Sequence, residues 1–240
     1  MRIHGNQIGT SPVIRRTLDA LGLPILLFLL AGALGLAART GGWTSADLRL
    51  DEAVRGARTG WLTAVAQVLN VGFGPPAGLA IVALLAAGLL LAGRTRAATV
   101  TTLLIAVGWT VSSVYKVLIA RPRPPAAYQL IPEPGHDSFP SGHVALTMSV
   151  AVAVAFLAYG TRYFRPAVVV GVLVVAAQAL ARMYLGVHYP SDVVGSILAS
   201  TAGTGAVLRL SGFSPGRREP LGGVAREKVR NTRAGVWNGT

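Results

Sequence analysis

The sequence predicts an all-α integral membrane protein with six transmembrane helices. Two observations carry that reading. Of 240 residues, 52% are hydrophobic and only 13% charged, about half the roughly 25% usual in soluble domains. The apolar residues stand in long blocks, and the mean hydropathy is +0.55, so they point to membrane spans instead of one large core. The net charge of +13 marks cytoplasmic loops and contacts with anionic lipid in such a chain, not nucleic acid. With no cysteine, disulfide frameworks, thiolate metal sites and cysteine nucleophiles are excluded.

A spanning helix needs about 20 mostly apolar residues. Six blocks meet or approach that length: Leu21–Ala38, Pro75–Ala92, Ala97–Tyr115, Val144–Gly160, Pro166–Ala181 and Val193–Leu208. The last two are short and are expected to recruit flanking residues. Arg16, Arg94, Arg162 and Arg209 lie just outside the blocks, where long side chains reach headgroups. Trp61–Phe73 is moderately apolar and ends at Gly74-Pro75-Pro76; it reads as an interfacial or partly buried helix broken before the second span. Pro24, Pro75 and Pro166 fall at or near span starts, where a missing N–H costs little. The first block follows Arg15-Arg16 as a signal peptide would, but at 18 residues it exceeds the usual apolar region of about 7–15. It is read as an uncleaved span.

Fourteen of the 22 Lys and Arg fall in the N-terminal segment, the 93–96 and 161–165 loops and the segment from Arg209 onward, against eight on the other side. The positive-inside rule then places both termini in the cytoplasm. Residues 1–20 are expected to form a cytoplasmic tail, 21–210 the membrane domain, and 211–240 a basic, disordered cytoplasmic tail able to touch anionic lipid.

The polar residues at the outer ends of spans three to six carry the chemistry. Lys116 and Arg123 frame the run that leaves the third span, and Pro140-Ser141-Gly142-His143 opens the fourth. Arg182, His188 and Asp192 lie between the fifth and sixth. Ionisable groups at membrane depth are costly and face one another or a wet cavity. Two histidines with three cations read as a site for a phosphate ester, since guanidinium and ammonium groups neutralise phosphate. Ser141 and Gly142 stand at a helix N-terminus, where free N–H groups favour an anion. His188 and Asp192 are four residues apart, so Asp192 can hold one ring nitrogen and leave the other free to attack. His143 is then available as a general acid for the leaving oxygen.

These three segments resemble the signature of the type 2 phosphatidic acid phosphatase (PAP2) superfamily: Lys-x6-Arg-Pro, Pro-Ser-Gly-His and Ser-Arg-x5-His-x3-Asp. Here they read Lys116…Arg123-Pro124, Pro140-Ser141-Gly142-His143 and Arg182…His188…Asp192, with Ala181 where the family usually has Ser. The resemblance spans about residues 61–200. It implies a helical-bundle core shared with soluble vanadium haloperoxidases and bacterial acid phosphatases, and hydrolysis through a phosphohistidine without a metal or other cofactor. It also implies roles: His188 as nucleophile, Asp192 as its orienting partner, His143 as acid, and Lys116, Arg123, Ser141, Gly142 and Arg182 as phosphate ligands. The expected substrate is a lipid phosphate or diphosphate, first a polyprenyl diphosphate such as the undecaprenyl or decaprenyl carrier. Phosphatidic acid, phosphatidylglycerol phosphate and a glycolipid phosphate are the alternatives.

Other polar residues are read as structural. Glu133, His136 and Asp137 with His143 fit no metal-ligand spacing. Arg121 reads as a headgroup contact off the motif. Asp47, Asp51 and Glu52 are expected to balance nearby arginines, and Trp109, Tyr184 and Tyr189 to pack or to sit at the interface. A rival from another class is an anion transporter, but the break at Gly74-Pro75-Pro76 has no counterpart in the second half and the cations crowd one face instead of the midplane.

Overall fold

The computed structural model describes residues 12–133, 135 and 137–212, with side chains from residue 21 onward. His4, His136 and the basic segment beyond residue 212 lie outside the described residues. The described chain folds into eight α-helices: α1 (Pro12–Ala38), α2 (Gly41–Gly56), α3 (Gly60–Gly72), α4 (Pro75–Leu91), α5 (Thr95–Ile119), α6 (Gly142–Ala158), α7 (Phe164–Tyr184) and α8 (Pro190–Leu210). One turn of 3₁₀ helix, Ala126–Tyr128, sits in the long loop between α5 and α6. α1 starts at Pro12, inside the segment 1–20 read as a tail, and α7 and α8 do extend past their apolar blocks.

Among the described residues, α1, α5, α7 and α8 are long and apolar enough to cross a membrane, and α3 with α4, bent by 55° at their break, reach that length and hydropathy only as a pair, a broken span or a re-entrant loop. The shorter apolar helix α6 has 17 residues, about 26 Å at 1.5 Å per residue. Helix α2 has no counterpart in the sequence reading. Its segment has no apolar block, and its buried positions are Asp47 and Asp51, so hydropathy did not reveal it.

The spans are turned inside out relative to a soluble helix. On α7, Val169, Val172, Leu173 and Leu180 are exposed, while Gln178 and Arg182 are fully buried. That arrangement suits lipid outside and a polar interior. Helix α8 is the centre of the bundle, packing against α1, α5 and α6. Close approach is bought with small residues: a Cβ on Gly203 would stand 3.2 Å from Gly108 Cα on α5. Hydroxyls at this crossing bond to backbone, with Ser200 donating to the Gly108 carbonyl at 3.1 Å and Ser149 to that of Ala145 at 2.7 Å, as lipid-embedded polar groups must. Larger apolar side chains, among them Val100, Leu104, Ile105, Leu146 and Phe156, fill the layer between α5 and α6.

Two alanine substitutions on α8 should diverge. A Cβ on Gly195 overlaps the fully buried Phe139 ring, whereas one on Gly205 meets only Pro24 Cγ at 3.7 Å. Gly195→Ala is expected to cost about 1–3 kcal/mol through overpacking, seen as a lower melting temperature in detergent, with Gly205→Ala no less stable than the parent.

Candidate active site

Four helix ends and their loops meet at one end of the bundle. Lys116 lies in the last turn of α5. Ala120 then turns the chain at φ 46°, and Pro122 and Pro124 keep it from re-entering a helix, so Arg121 and Arg123 leave in extended backbone. The loop returns through Ser138 to Ser141, the N-cap of α6. Arg182 occupies the last turn of α7. Beyond it Gly186, at φ 74° with the Tyr128 carbonyl where a Cβ would project, reverses the chain and delivers His188 to the start of α8. Asp192 is in the first turn of that helix.

His188 is 1% exposed and Asp192 fully buried. Asp192 Oδ2 lies 3.4 Å from His188 Nδ1. The same oxygen accepts the Tyr189 N–H at 2.9 Å and the Ser138 hydroxyl. On the other side of the ring, Nε2 is 3.3 Å from Arg123 Nη1. A guanidinium only donates, so these partners assign the proton to Nδ1 and the lone pair to Nε2. Burial first, then the charges of Arg182, Arg123, Lys116 and His143, push the His188 pKa well below the ordinary histidine value. The ring is therefore held neutral, with its lone pair aimed at cations.

Arg182 is buried with it, and Lys116 and Arg123 partly so. Arg182, fully buried, donates through Nη1 to the Asn70 side-chain oxygen, and its Nη2 is 2.6 Å from Glu133 Oε2. Arg123 bonds the Val187 carbonyl at 3.0 Å and the Gly135 carbonyl at 3.1 Å, and approaches Glu133 to 3.9 Å. Lys116 Nζ donates to the Asp137 carbonyl at 2.8 Å. The Ser141 hydroxyl is buried without a hydrogen-bond partner, beside the free first-turn N–H groups that follow it. The His143 ring lies beside the Asn70 backbone carbonyl. That carbonyl is free because α3 stops two residues later and Gly74 N–H turns to Val71 instead. All eight residues singled out in the sequence thus converge on one end of the bundle. Among the described residues, no three His, Cys, Asp or Glu gather as metal ligands.

Three sequence readings are corrected. Arg121 is not a headgroup contact: it is 1% exposed, donates to Asp192 Oδ1 and to Asp47 Oδ2 at 2.7 Å each, and lies 4.0 Å over the Tyr189 ring. Asp47 does not balance a neighbouring arginine but this one, 74 positions away. Glu133, set aside with the metal question, is the carboxylate the site arginines hold. Burial raises its pKa, but pairing and hydrogen bonding with Arg182 outweigh that and keep it below the ordinary glutamate value. Asn70 and Ser138 drew no attention in the sequence. A lone amide just before the helix break was the only signal for Asn70, and nothing local marked Ser138.

An all-helical membrane-embedded bundle with cations, two histidines and a carboxylate gathered at one end defines a class known from solved structures. Residues 96–214 match the PAP2 superfamily, and the chain belongs to that superfamily. The fold is similar to a crystal structure of a transmembrane PAP2-type phosphatidylglycerolphosphate phosphatase from Bacillus subtilis, with a TM-score of 0.69 and 26% identity over 77% of this chain and 93% of that one. It also resembles the fold of LpxE from Aquifex aeolicus, with a TM-score of 0.52 and 22% identity over 68% and 93%. In sequence, the decaprenylphosphoryl-5-phosphoribose phosphatase of Mycobacterium tuberculosis is 38% identical over 100 residues, 40% of this chain and 52% of that protein. The undecaprenyl-diphosphatase BcrC of Bacillus subtilis is 31% identical over 96 residues, 39% and 47%. The chain thus spans about half the length of the curated relatives it matches.

Glu133 pairs with both Arg182 and Arg123, so an anionic ligand that used these arginines would compete with it. The apparent affinity of such a ligand is then the intrinsic one multiplied by the fraction of molecules in which the arginines are free. Glu133→Gln is expected to tighten inorganic phosphate binding, measured by calorimetry in detergent, by roughly tenfold, about 1.4 kcal/mol. Unchanged binding would mean that the carboxylate does not compete.

Proposed function

We propose that this protein is a membrane phosphatase that hydrolyses the phosphomonoester or diphosphate headgroup of a lipid through a phosphohistidine intermediate. The observation that carries this reading is the buried His188 ring, held at Nδ1 by Asp192 with Nε2 3.3 Å from Arg123 Nη1, in a site it shares with Lys116 and Arg182. A lone pair next to cations suits attack on an anionic electrophile that those cations hold. Lys116, Arg123, Arg182, the Ser141 hydroxyl and the Gly142 N–H bind the phosphoryl oxygens. His188 Nε2 then forms a bond to phosphorus as the bond to the leaving oxygen breaks, and His143 gives that oxygen its proton. In the second half, water passes a proton back to His143 and attacks phosphorus, and the P–N bond breaks to release phosphate.

A lipid substrate follows from the setting, since the site lies at the end of a bundle whose outer surface is apolar. Within that class a polyprenyl carrier is the favoured substrate. The relatives from Mycobacterium tuberculosis and Bacillus subtilis are named for decaprenylphosphoryl-5-phosphoribose and undecaprenyl diphosphate. Phosphate release from a panel of polyprenyl, phosphatidic acid and phosphatidylglycerol phosphate substrates decides among them.

His188→Ala is expected to abolish turnover, and His143→Ala to hit substrates with poor leaving groups hardest. Because His188 must be neutral and its pKa is depressed, kcat/KM should hold as pH falls and drop only below the ordinary histidine value of about 6.5. Radiolabelled substrate should leave phosphate on His188; label on a serine or aspartate rules the mechanism out.

For orientation, we take α3 with α4 as one span and α6 as another, which makes six with α1, α5, α7 and α8. An even count places both termini together, and the arginine-bearing 93–96 and 161–165 loops put them in the cytoplasm. The site then faces outward, as suits a carrier released outside the cytoplasm. A reporter enzyme active only in the cytoplasm should work when fused after Thr240 and stay silent when inserted near Glu133. The reverse pattern would turn the protein over.

A further inference from the structure

We propose that Asp47 and Arg121 are positioning residues for His188, acting through Asp192; this rests on the reading of His188 as the attacking group. Arg121 Nη1 reaches both Asp192 Oδ1 and Ser191 Oγ at 2.7 Å. Its Nη2 reaches Asp47 Oδ2 at 2.7 Å and Thr44 Oγ1 at 3.5 Å. Asp47 in turn accepts the Ser191 N–H at 3.3 Å and the Ser191 hydroxyl at 2.5 Å. The guanidinium face rests 4.0 Å over the Tyr189 ring. Both terminal nitrogens are therefore committed, and Arg121 is not a phosphate ligand. It grips the Asp192 oxygen that His188 does not use.

This grip does two things. First, it fixes the carboxylate plane. Oδ2 is held by Ser138 and the Tyr189 N–H, and Oδ1 by Arg121, so Asp192 cannot rotate away from the imidazole and the ring keeps one orientation. Second, it sets the charge. One guanidinium faces two carboxylates, so with both ionised the cluster carries one net negative charge beside His188. When Nε2 gives its lone pair to phosphorus and the leaving oxygen departs with the bonding electrons, the proton on Nδ1 stays and the ring becomes cationic. Arg182 on α7, Lys116 on α5, His143 on α6 and Arg123 on the loop all oppose that charge. The Asp47–Arg121–Asp192 cluster is what favours it. Asp51, one turn along α2, is pushed up to about 7 by burial first and then by Asp47, so below that pH it adds no further charge.

The test uses the full-length protein in detergent with a soluble short-chain phosphate monoester, following kcat, KM, the pH dependence of kcat/KM and the melting temperature. D47N keeps the shape and removes the charge. It should lower kcat about tenfold, the scale of losing a group that orients an active ligand, with KM within about twofold. The acid limb should move to lower pH, because less negative charge beside His188 disfavours its protonation. D47E should return that limb to its original place. R121K keeps the charge but loses the planar fork that reaches Asp192 and Asp47 through separate nitrogens, so kcat should fall at least as far with the limb unmoved. Folded D47N and R121K proteins with the parent's kcat and acid limb overturn the proposal. Should D47N not fold, a folded R121K protein with the parent's kcat overturns it equally. H188A keeps the two readings apart. If H188A is active, the phosphohistidine reading has failed. If it is inactive while D47N and R121K are unimpaired, only the positioning role has.

Discussion

A carboxylate shut away from water at the mouth of a lipid-embedded bundle persists only where protein donors replace its hydration. Asp192 is that group, and the architecture of the site follows from satisfying it. Its donors come from the loop leaving α5, the loop entering α6 and the start of α8. Because Arg121 is itself too buried to stand alone, the demand passes outward to Asp47 on α2. One desolvated side chain thus ties together segments from both halves of the chain, and the helix ends that carry Lys116, Arg182 and His188 are held in register around it.

How much of this was legible in the sequence depended on range. Membrane spans announce themselves locally, and the blocks at Leu21–Ala38 and Pro75–Ala92 lie within a residue of a helix end at one or both termini. Spans whose ends carry polar residues came out short: Pro190-Ser191-Asp192 belongs to α8, but its polarity hides it from any hydropathy window. The amphipathic helix α2 was missed for the same reason. The motif residues were found because their types and spacing match one chemistry. Arg121 was misread because the charge of a residue says nothing about which distant group it meets. Only the fold reveals that a carboxylate 74 positions earlier is its partner.

The break between α3 and α4 shows how an irregularity can be put to use. A helix end leaves its last carbonyls without intrahelical donors, a liability inside a membrane unless another group supplies one. Here the freed carbonyl is that of Asn70, and the polar group set beside it is the His143 ring. The Asn70 side chain meanwhile takes the Arg182 guanidinium. A residue that resembles no motif therefore touches both a histidine and an arginine of the site, one through backbone and one through side chain.

The arrangement of Arg182 and its partners also bears on how the chain is made. Ribosomal synthesis runs from the N-terminus, and N-terminal parts fold first. Asn70 and Glu133, which hold the Arg182 guanidinium, both precede it in the chain. Both partners of the α7 arginine are thus synthesised before it and are available to share the cost of burying the cation. Arg121 is in the opposite position. Asp47 and Thr44 on α2 come before it, but Asp192 comes last, so until the final helix is made only the α2 partners of that guanidinium are at hand.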